Sequence, residues 1–194
     1  MPKDSPMDDL RREHQLVLAD MAEAQAAVQE LKPGPGASGR GPGQLLRSRL
    51  GQFQEGMLLH FQREEQFVYP EARRAGLLGE FLNSEAEEDM RAHQVISTRT
   101  EELISAAEEI ERTGDIDAQT LSRLRTIVGL TRTLLERHAA KEDTLIFPMI
   151  ERGLSAEQLV AMRDHLRDSR AVGDLSGPGD PKSGPGLTRL GGQD

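Results

Sequence analysis

Two stretches of this chain carry the same unusual pattern. The first is His60-Phe-Gln-Arg-Glu64-Glu65, followed by Tyr69-Pro70; the second is His138-Ala-Ala-Lys-Glu142-Asp143, followed by Phe147-Pro148. Two more histidines, His14-Gln15 and His93-Gln94, repeat almost in step with them. Four of the five histidines therefore belong to one duplicated scheme, H…HxxxE…H…HxxxE. A repeat constrains the fold before any single residue does, because each copy must be one supersecondary unit and the units must pack on each other.

The repeated unit is helical. Apolar residues recur at helical spacing, and no stretch alternates like a strand. A first helix is expected from about Asp8 to Leu31, with Leu10, Val17, Leu18 and Met21 on the stripe of His14. Lys32-Pro33-Gly34-Pro35-Gly36 stops it, and the Gly/Pro-rich stretch to Gly43 reads as loop. A second helix is expected from near Gln44 through Phe53, Met57, His60, Glu64 and Phe67, interrupted by Pro70 and Gly76. Ser84-x-x-Glu87 has the form of a capping box and is expected to open a third helix carrying Met90, His93 and Ile96, ending at Gly114. Asp117 can cap a fourth, through Leu121, Leu124, Ile127, Leu134, His138, Glu142 and Leu145. Ser155-x-x-Gln158 opens a short fifth helix, about 155–170.

Heights within these helices set which residues meet. His14 stands as far before Leu31 as His60 stands after Gln44, to within one position. The stretch from His93 to Thr113 matches that from Asp117 to His138 equally well. At about 1.5 Å per residue, each αα-hairpin brings its two histidines to one level. The expected fold is therefore all-α: an up-down four-helix bundle of two pseudo-symmetric hairpins plus a short C-terminal helix. A single domain is expected over 1–172, with its ligand-bearing core at about 8–152; the Gly/Pro-rich tail, 173–194, is expected to be disordered.

His60/Glu64 and His138/Glu142 are spaced i,i+4, so each pair shares a helix face. Phe53, Met57 and Phe67 flank the first pair and Leu134, Leu135 and Leu145 the second. Histidine and glutamate on an apolar face need partners, since a buried carboxylate without one is costly. Four imidazoles and two carboxylates entering from four helices suit two ions bridged by the carboxylates. Mixed nitrogen and oxygen ligation favours iron, manganese or zinc over calcium, magnesium or copper(I).

Composition narrows the class further. The chain has no cysteine, which excludes disulfides, thiolate zinc sites and iron–sulfur ligation by its own residues. A net charge of −9 argues against nucleic acid as a partner. No apolar run reaches the roughly 20 residues a membrane span needs, and MPKDSPMDDL has no hydrophobic signal region. A cytoplasmic protein without a membrane partner is the expectation.

The duplicated motif, with an acidic residue after each Glu and an aromatic-Pro pair closing each copy, resembles the hemerythrin-like (HHE cation-binding) domain over about residues 8–152. The resemblance implies a bundle holding two iron ions with an oxo or hydroxo bridge. It also implies His14, His60, His93 and His138 as terminal ligands and Glu64 and Glu142 as bridges. Where oxygen-carrying hemerythrins have a second histidine one turn after the third-helix ligand, this chain has Ser97, and its His138–Glu142 spacing is shorter than theirs. The set is closer to bacterial hemerythrin-like proteins of stress response and to iron- and oxygen-sensing domains. The cysteine-containing N-terminal segment of many iron-centre repair proteins is absent, and no histidine has a glutamate three residues before it, as ferritin-like centres require. The implied function is to bind or react with dioxygen, peroxide or nitric oxide, in protection or sensing. A non-enzymatic iron- or oxygen-binding sensor or storage module is the alternative.

Other residues carry weaker expectations. Glu65 and Asp143 are expected at the solvated surface, with outer hydrogen bonds to the site as the alternative. Pro70 and Pro148 each remove a helix hydrogen bond and are expected to kink the chain beyond the site. Tyr69, the only tyrosine, is expected to pack rather than to ligate, and His165 is expected to be exposed.

Overall fold

The structure, a computed structural model, describes residues 5–34, 36, 40–77 and 79–174. The tail expected to be disordered lies, from 175 on, outside the described residues. Four long helices form an up-down bundle: α1 (Pro6–Glu30), α2 (Arg40–Arg63), α4 (Glu80–Thr113) and α5 (Ala118–Lys141). Two short helices, α3 (Tyr69–Arg74) and α6 (Phe147–Gly153), continue α2 and α5, and α7 (Ala156–Asp174) closes the described chain. Around the bundle, α1 packs on α2 and α5, and α4 packs on the same two. This is the two-hairpin arrangement that the repeat predicts.

Local chemistry sets the ends of these helices. Ser5 caps α1 in a full capping box with Asp8, and Pro6 occupies the first helical turn, where its missing N–H costs nothing. Asp117 accepts from the Gln119 and Thr120 amides at the start of α5. Ser155 and Gln158 form the second predicted box. Gly114 ends α4 in the left-handed conformation, φ 74°, with its N–H on Ile110 O. At the tip of the bundle the hairpin loops join, Gly34 N donating to Ile116 O at 2.8 Å.

The fifth predicted helix extends past its expected end to Asp174, so 173 and 174, expected in the tail, are helical. Two helix starts also differ from expectation. α2 begins at Arg40 and absorbs Gly41-Pro42-Gly43, because Pro42 falls in a first turn, where proline is tolerated. α4 begins at Glu80, so Ser84 lies one turn inside it and opens nothing. Gly43 is placed there for close packing. A Cβ on it would lie 2.5 Å from Glu111 N and 2.8 Å from Glu111 Cα, both main-chain atoms of α4. Gly43→Ala is therefore expected to destabilise the bundle by about 1–3 kcal/mol, the usual range for overpacking, measured as a lower urea midpoint at unchanged slope.

Two apolar clusters fill the interior. One, toward the loop tip, includes Val17, Met21, Leu50, Phe53, Met57, Ile96, Leu103, Val128 and Leu135. The other includes Leu10, Val68, Tyr69, Ile146, Phe147, Met162 and Leu166. In α1, His14 sits between Leu10 of one cluster and Val17 of the other. No described helix is long and apolar enough to cross a membrane.

Candidate metal centre

Each HxxxE motif ends in a break of helical pitch. Glu64–Val68 and Glu142–Ile146 are π-helical turns, closed by Tyr69 N–H to Glu64 O and by Phe147 N–H to Glu142 O. The prolines explain the position. Pro70 and Pro148 cannot supply the amide that a regular α-helix needs there, and the wider turn takes up the loss. The extra residue per turn also shifts which side chains face inward. Leu145, expected in the core, is exposed, and Ile146 and Phe147 are buried instead. In the first motif Phe67 is only partly buried, while Val68 and Tyr69 fill the interior. The expected kink is thus realised as a π turn.

The six predicted residues converge, all 3% exposed or less. His14 faces His60 with ring centroids 4.4 Å apart, and His93 faces His138 at 4.8 Å, the pairs predicted from hairpin height. The carboxylates cross between the pairs. Glu64 Oε1 lies 3.2 Å from His60 Nε2, and its Oε2 lies 3.3 Å from His93 Nε2. Glu142 Oε2 lies 3.0 Å from His14 Nε2 and 3.3 Å from His138 Nε2. Thus each carboxylate reaches one histidine of each hairpin. Ligand atoms of His14, His60, Glu64, His138 and Glu142 all fall within 4.8 Å of one another, and His93 Nε2 is 3.3 Å from His138 Nε2.

Around this group stands a ring of carboxylates: Glu65 and Asp143, expected at the surface with outer hydrogen bonds to the site as the alternative, and Glu13 and Asp89, which no motif marks. Asp143 Oδ1 lies 3.0 Å from His14 Nδ1 and Glu65 Oε1 lies 2.7 Å from His93 Nδ1, each reaching across to the other hairpin. Glu65 and Asp143 remain 42% and 34% exposed, so they are solvated and bonded to the site at once. Glu13 Oε2 is 3.2 Å from His60 Nδ1, and Asp89 Oδ1 is 3.5 Å from His138 Nδ1. A basic residue holds each of this second pair, Arg63 on Glu13 and Lys141 on Asp89 at 2.6 Å. The repeat carried this signal too, as Arg63-Glu64-Glu65 and Lys141-Glu142-Asp143.

Aromatic residues close the site. Phe61 stacks on His93, centroids 3.7 Å apart, and Phe147 stacks on His14 at 5.7 Å. Tyr69 packs in the core as expected, but its hydroxyl also lies 2.8 Å from Glu142 Oε1 and 2.7 Å from Asp89 Oδ2. Ser97 is half-buried, and His165 is exposed, near Phe67.

The protonation balance follows from burial and neighbours. Burial pushes the Glu64 carboxyl up, but the His60 and His93 imidazoles outweigh it and hold Glu64 well below its usual range. Glu142 is pushed up, by burial and by the Glu64 charge, against His138 and His14. Burial alone would lower His14, His60 and His93; all three are raised, because Asp143 and Glu142, Glu64, and Glu64 with Glu65 respectively favour the charged form. Burial and then the surrounding carboxylates push the Tyr69 hydroxyl well above the usual phenol range. The protein alone therefore recruits protons to balance its carboxylates.

A metal fits what these residues lack. His60 Nε2 and both Glu64 oxygens are buried without a hydrogen-bond partner and face one another. Glu13, Glu64, Glu65, Asp89, Glu142 and Asp143 outnumber Arg63 and Lys141 around the site, an excess of negative charge that suits a cation. A model of the hemerythrin HHE cation binding domain matches residues 5–150, three-quarters of the chain. The chain belongs to the hemerythrin family. No individual curated protein matches this hemerythrin-family chain.

Proposed function

We propose that this hemerythrin-family protein holds two iron ions, one at His14 and His60 and one at His93 and His138, with Glu64 and Glu142 shared between them. In this reading it binds or reacts with dioxygen, peroxide or nitric oxide, in protection or sensing. The observation that carries the proposal is the crossing of the two carboxylates, each within 3.3 Å of a histidine from both hairpins. Bound iron supplies reversible electron transfer and an exchangeable position for a small ligand. The chain's own residues do the rest. Asp143, Glu13 and Glu65 hold the Nδ1 atoms and so turn three Nε2 atoms inward. Phe61 and Phe147 cover imidazole faces and exclude water. Tyr69 engages one Glu142 oxygen, leaving Oε2 as the atom directed to the histidines.

Burial of all six residues supports a second reading, a non-enzymatic iron- or oxygen-binding module. One experiment separates the two. Protein loaded with iron is expected to contain two irons per chain and a near-ultraviolet band that responds to peroxide or nitric oxide, both lost in His60→Ala. Peroxide consumption no faster than that of free iron would leave the binding module. Manganese, zinc or no metal in folded protein expressed with iron would overturn the di-iron reading.

A further inference from the structure

The two halves of the centre differ in what stands behind their histidines. Arg63 and Lys141 occupy equivalent places in the repeat, and each grips the carboxylate behind a histidine. Lys141 is partly exposed, and its other partners, Glu85 and Glu88, lie on the same helix as Asp89. Arg63 is 1% exposed and reaches a different element, its Nη2 donating to the Leu166 carbonyl of α7 at 2.8 Å. Met162 and Leu166 of that helix are buried in the second cluster. A continuous path thus runs from the α7 main chain through Arg63 and Glu13 to His60 Nδ1, with His60 Nε2 facing Glu64.

We infer that Arg63 is a positioning residue coupling the docking of α7 to the metal position of His14 and His60, so that α7 regulates one half of the centre. The inference rests on the reading that His60 ligates a metal. When α7 is docked, the guanidinium spans Leu166 O and Glu13 Oε1, and Glu13 fixes His60 in the tautomer and orientation that present Nε2 inward. When α7 leaves, Arg63 loses an anchor and gains water, and Glu13 no longer holds the ring in place. Coupling of this kind is reciprocal: metal at His60 must favour docked α7 by the same factor that docked α7 favours metal. Among the described residues the half served by Lys141 lacks this link, its cation being paired with carboxylates of α4.

The test uses the full chain and cobalt(II), following the visible cobalt spectrum, the stoichiometry and amide exchange in residues 156–169. Wild type is expected to take two cobalt ions and to exchange more slowly in α7 when loaded. Arg63→Met should weaken one cobalt by roughly 10–100-fold, the usual cost of losing an outer partner, change its spectrum, and abolish the α7 response. Arg63→Lys should restore only part of the affinity, because a point charge still holds Glu13 but no longer ties it to α7. It should not restore the α7 response, which needs the fork. Leu166→Ala, which loosens α7 without altering the Arg63 side chain or a ligand, should weaken the same cobalt even if Arg63→Met fails to fold. Lys141→Met should weaken the other cobalt and leave the α7 response intact. Two cobalt ions bound with wild-type affinity in Arg63→Met and Leu166→Ala, or an α7 exchange rate indifferent to metal in wild type, would overturn the inference alone. Wild type binding no cobalt would overturn the proposed centre and the inference with it.

Discussion

Metal-loaded protein is expected to melt far above metal-free protein, and the gap is expected to widen as pH rises from about 6 to 8. The size follows from mass action. Each ion at a hundredfold excess over its dissociation constant stabilises the fold by about 2.7 kcal/mol, so two contribute roughly 5 kcal/mol. In a chain of this length that corresponds to a rise of roughly 10–20 °C in Tm. The pH trend follows from the histidines. In the metal-free protein His14, His60 and His93 are raised above 6.5, so their stabilisation is complete below that value and is lost as pH rises through the folded-state values. Glu64 acts at the other end: its stabilisation, present above the ordinary glutamate range, is lost only as pH falls well below it. Metal-free protein should therefore weaken on the alkaline side. Metal requires neutral imidazoles, so binding releases protons and strengthens as pH rises. One histidine that must lose its proton costs the metal about 1.4 kcal/mol per pH unit below its folded-state value. Calorimetry of both forms at three pH values checks this. Equal melting points would show that the buried His/Glu layer is not a metal site, and a gap that narrows with rising pH would show that proton release from its histidines does not govern binding.

Much of the fold, and the convergence of four histidines and two glutamates, could be read from sequence because both rest on periodicity. Helical spacing located α1, α2, α4 and α5, and equal distances from the hairpin tips paired His14 with His60 and His93 with His138. Where the period changes, the reading slips by one residue. Carrying a 3.6-residue repeat through Glu142–Ile146 puts Leu145 inward, whereas the π turn hands that place to Ile146 and Phe147. Ser84 misled for a different reason: S-x-x-E is also an ordinary i,i+3 pair on a helix surface, and only an adjacent chain break makes it a cap. The outer carboxylates were harder still. Glu13 and Asp89 contact histidines of neighbouring helices, a relation set by bundle packing rather than by spacing within one helix. Nothing in the local sequence marks Arg63 as buried, since arginine is seldom buried without a partner. Its burial depends on Glu13 in α1 and Leu166 in α7, both distant in sequence.

The two shared carboxylates are not equivalent, and Glu64→Ala is expected to lose more metal than Glu142→Ala. Both Glu64 oxygens are buried without a hydrogen-bond partner, and they divide between the halves, Oε1 toward His60 and Oε2 toward His93. Apart from the imidazoles they face, no group of the described residues engages either oxygen. Glu142 directs only Oε2 at the histidines, while Oε1 is taken by Tyr69. Removing Glu64 would therefore strip an oxygen from both proposed metal positions, together with negative charge that attracts a cation to them. The loss should exceed the roughly 10–100-fold typical of an outer partner, leaving less than one metal per chain after desalting. Glu142→Ala removes a single shared oxygen and should retain more metal than that, with an altered spectrum because Tyr69 is left with Asp89 alone. Metal analysis with far-ultraviolet circular dichroism, to show that both variants keep the bundle, decides the order. Equal retention in the two variants would mean that the two halves use their carboxylates alike and that Tyr69 does not divide the roles of the pair.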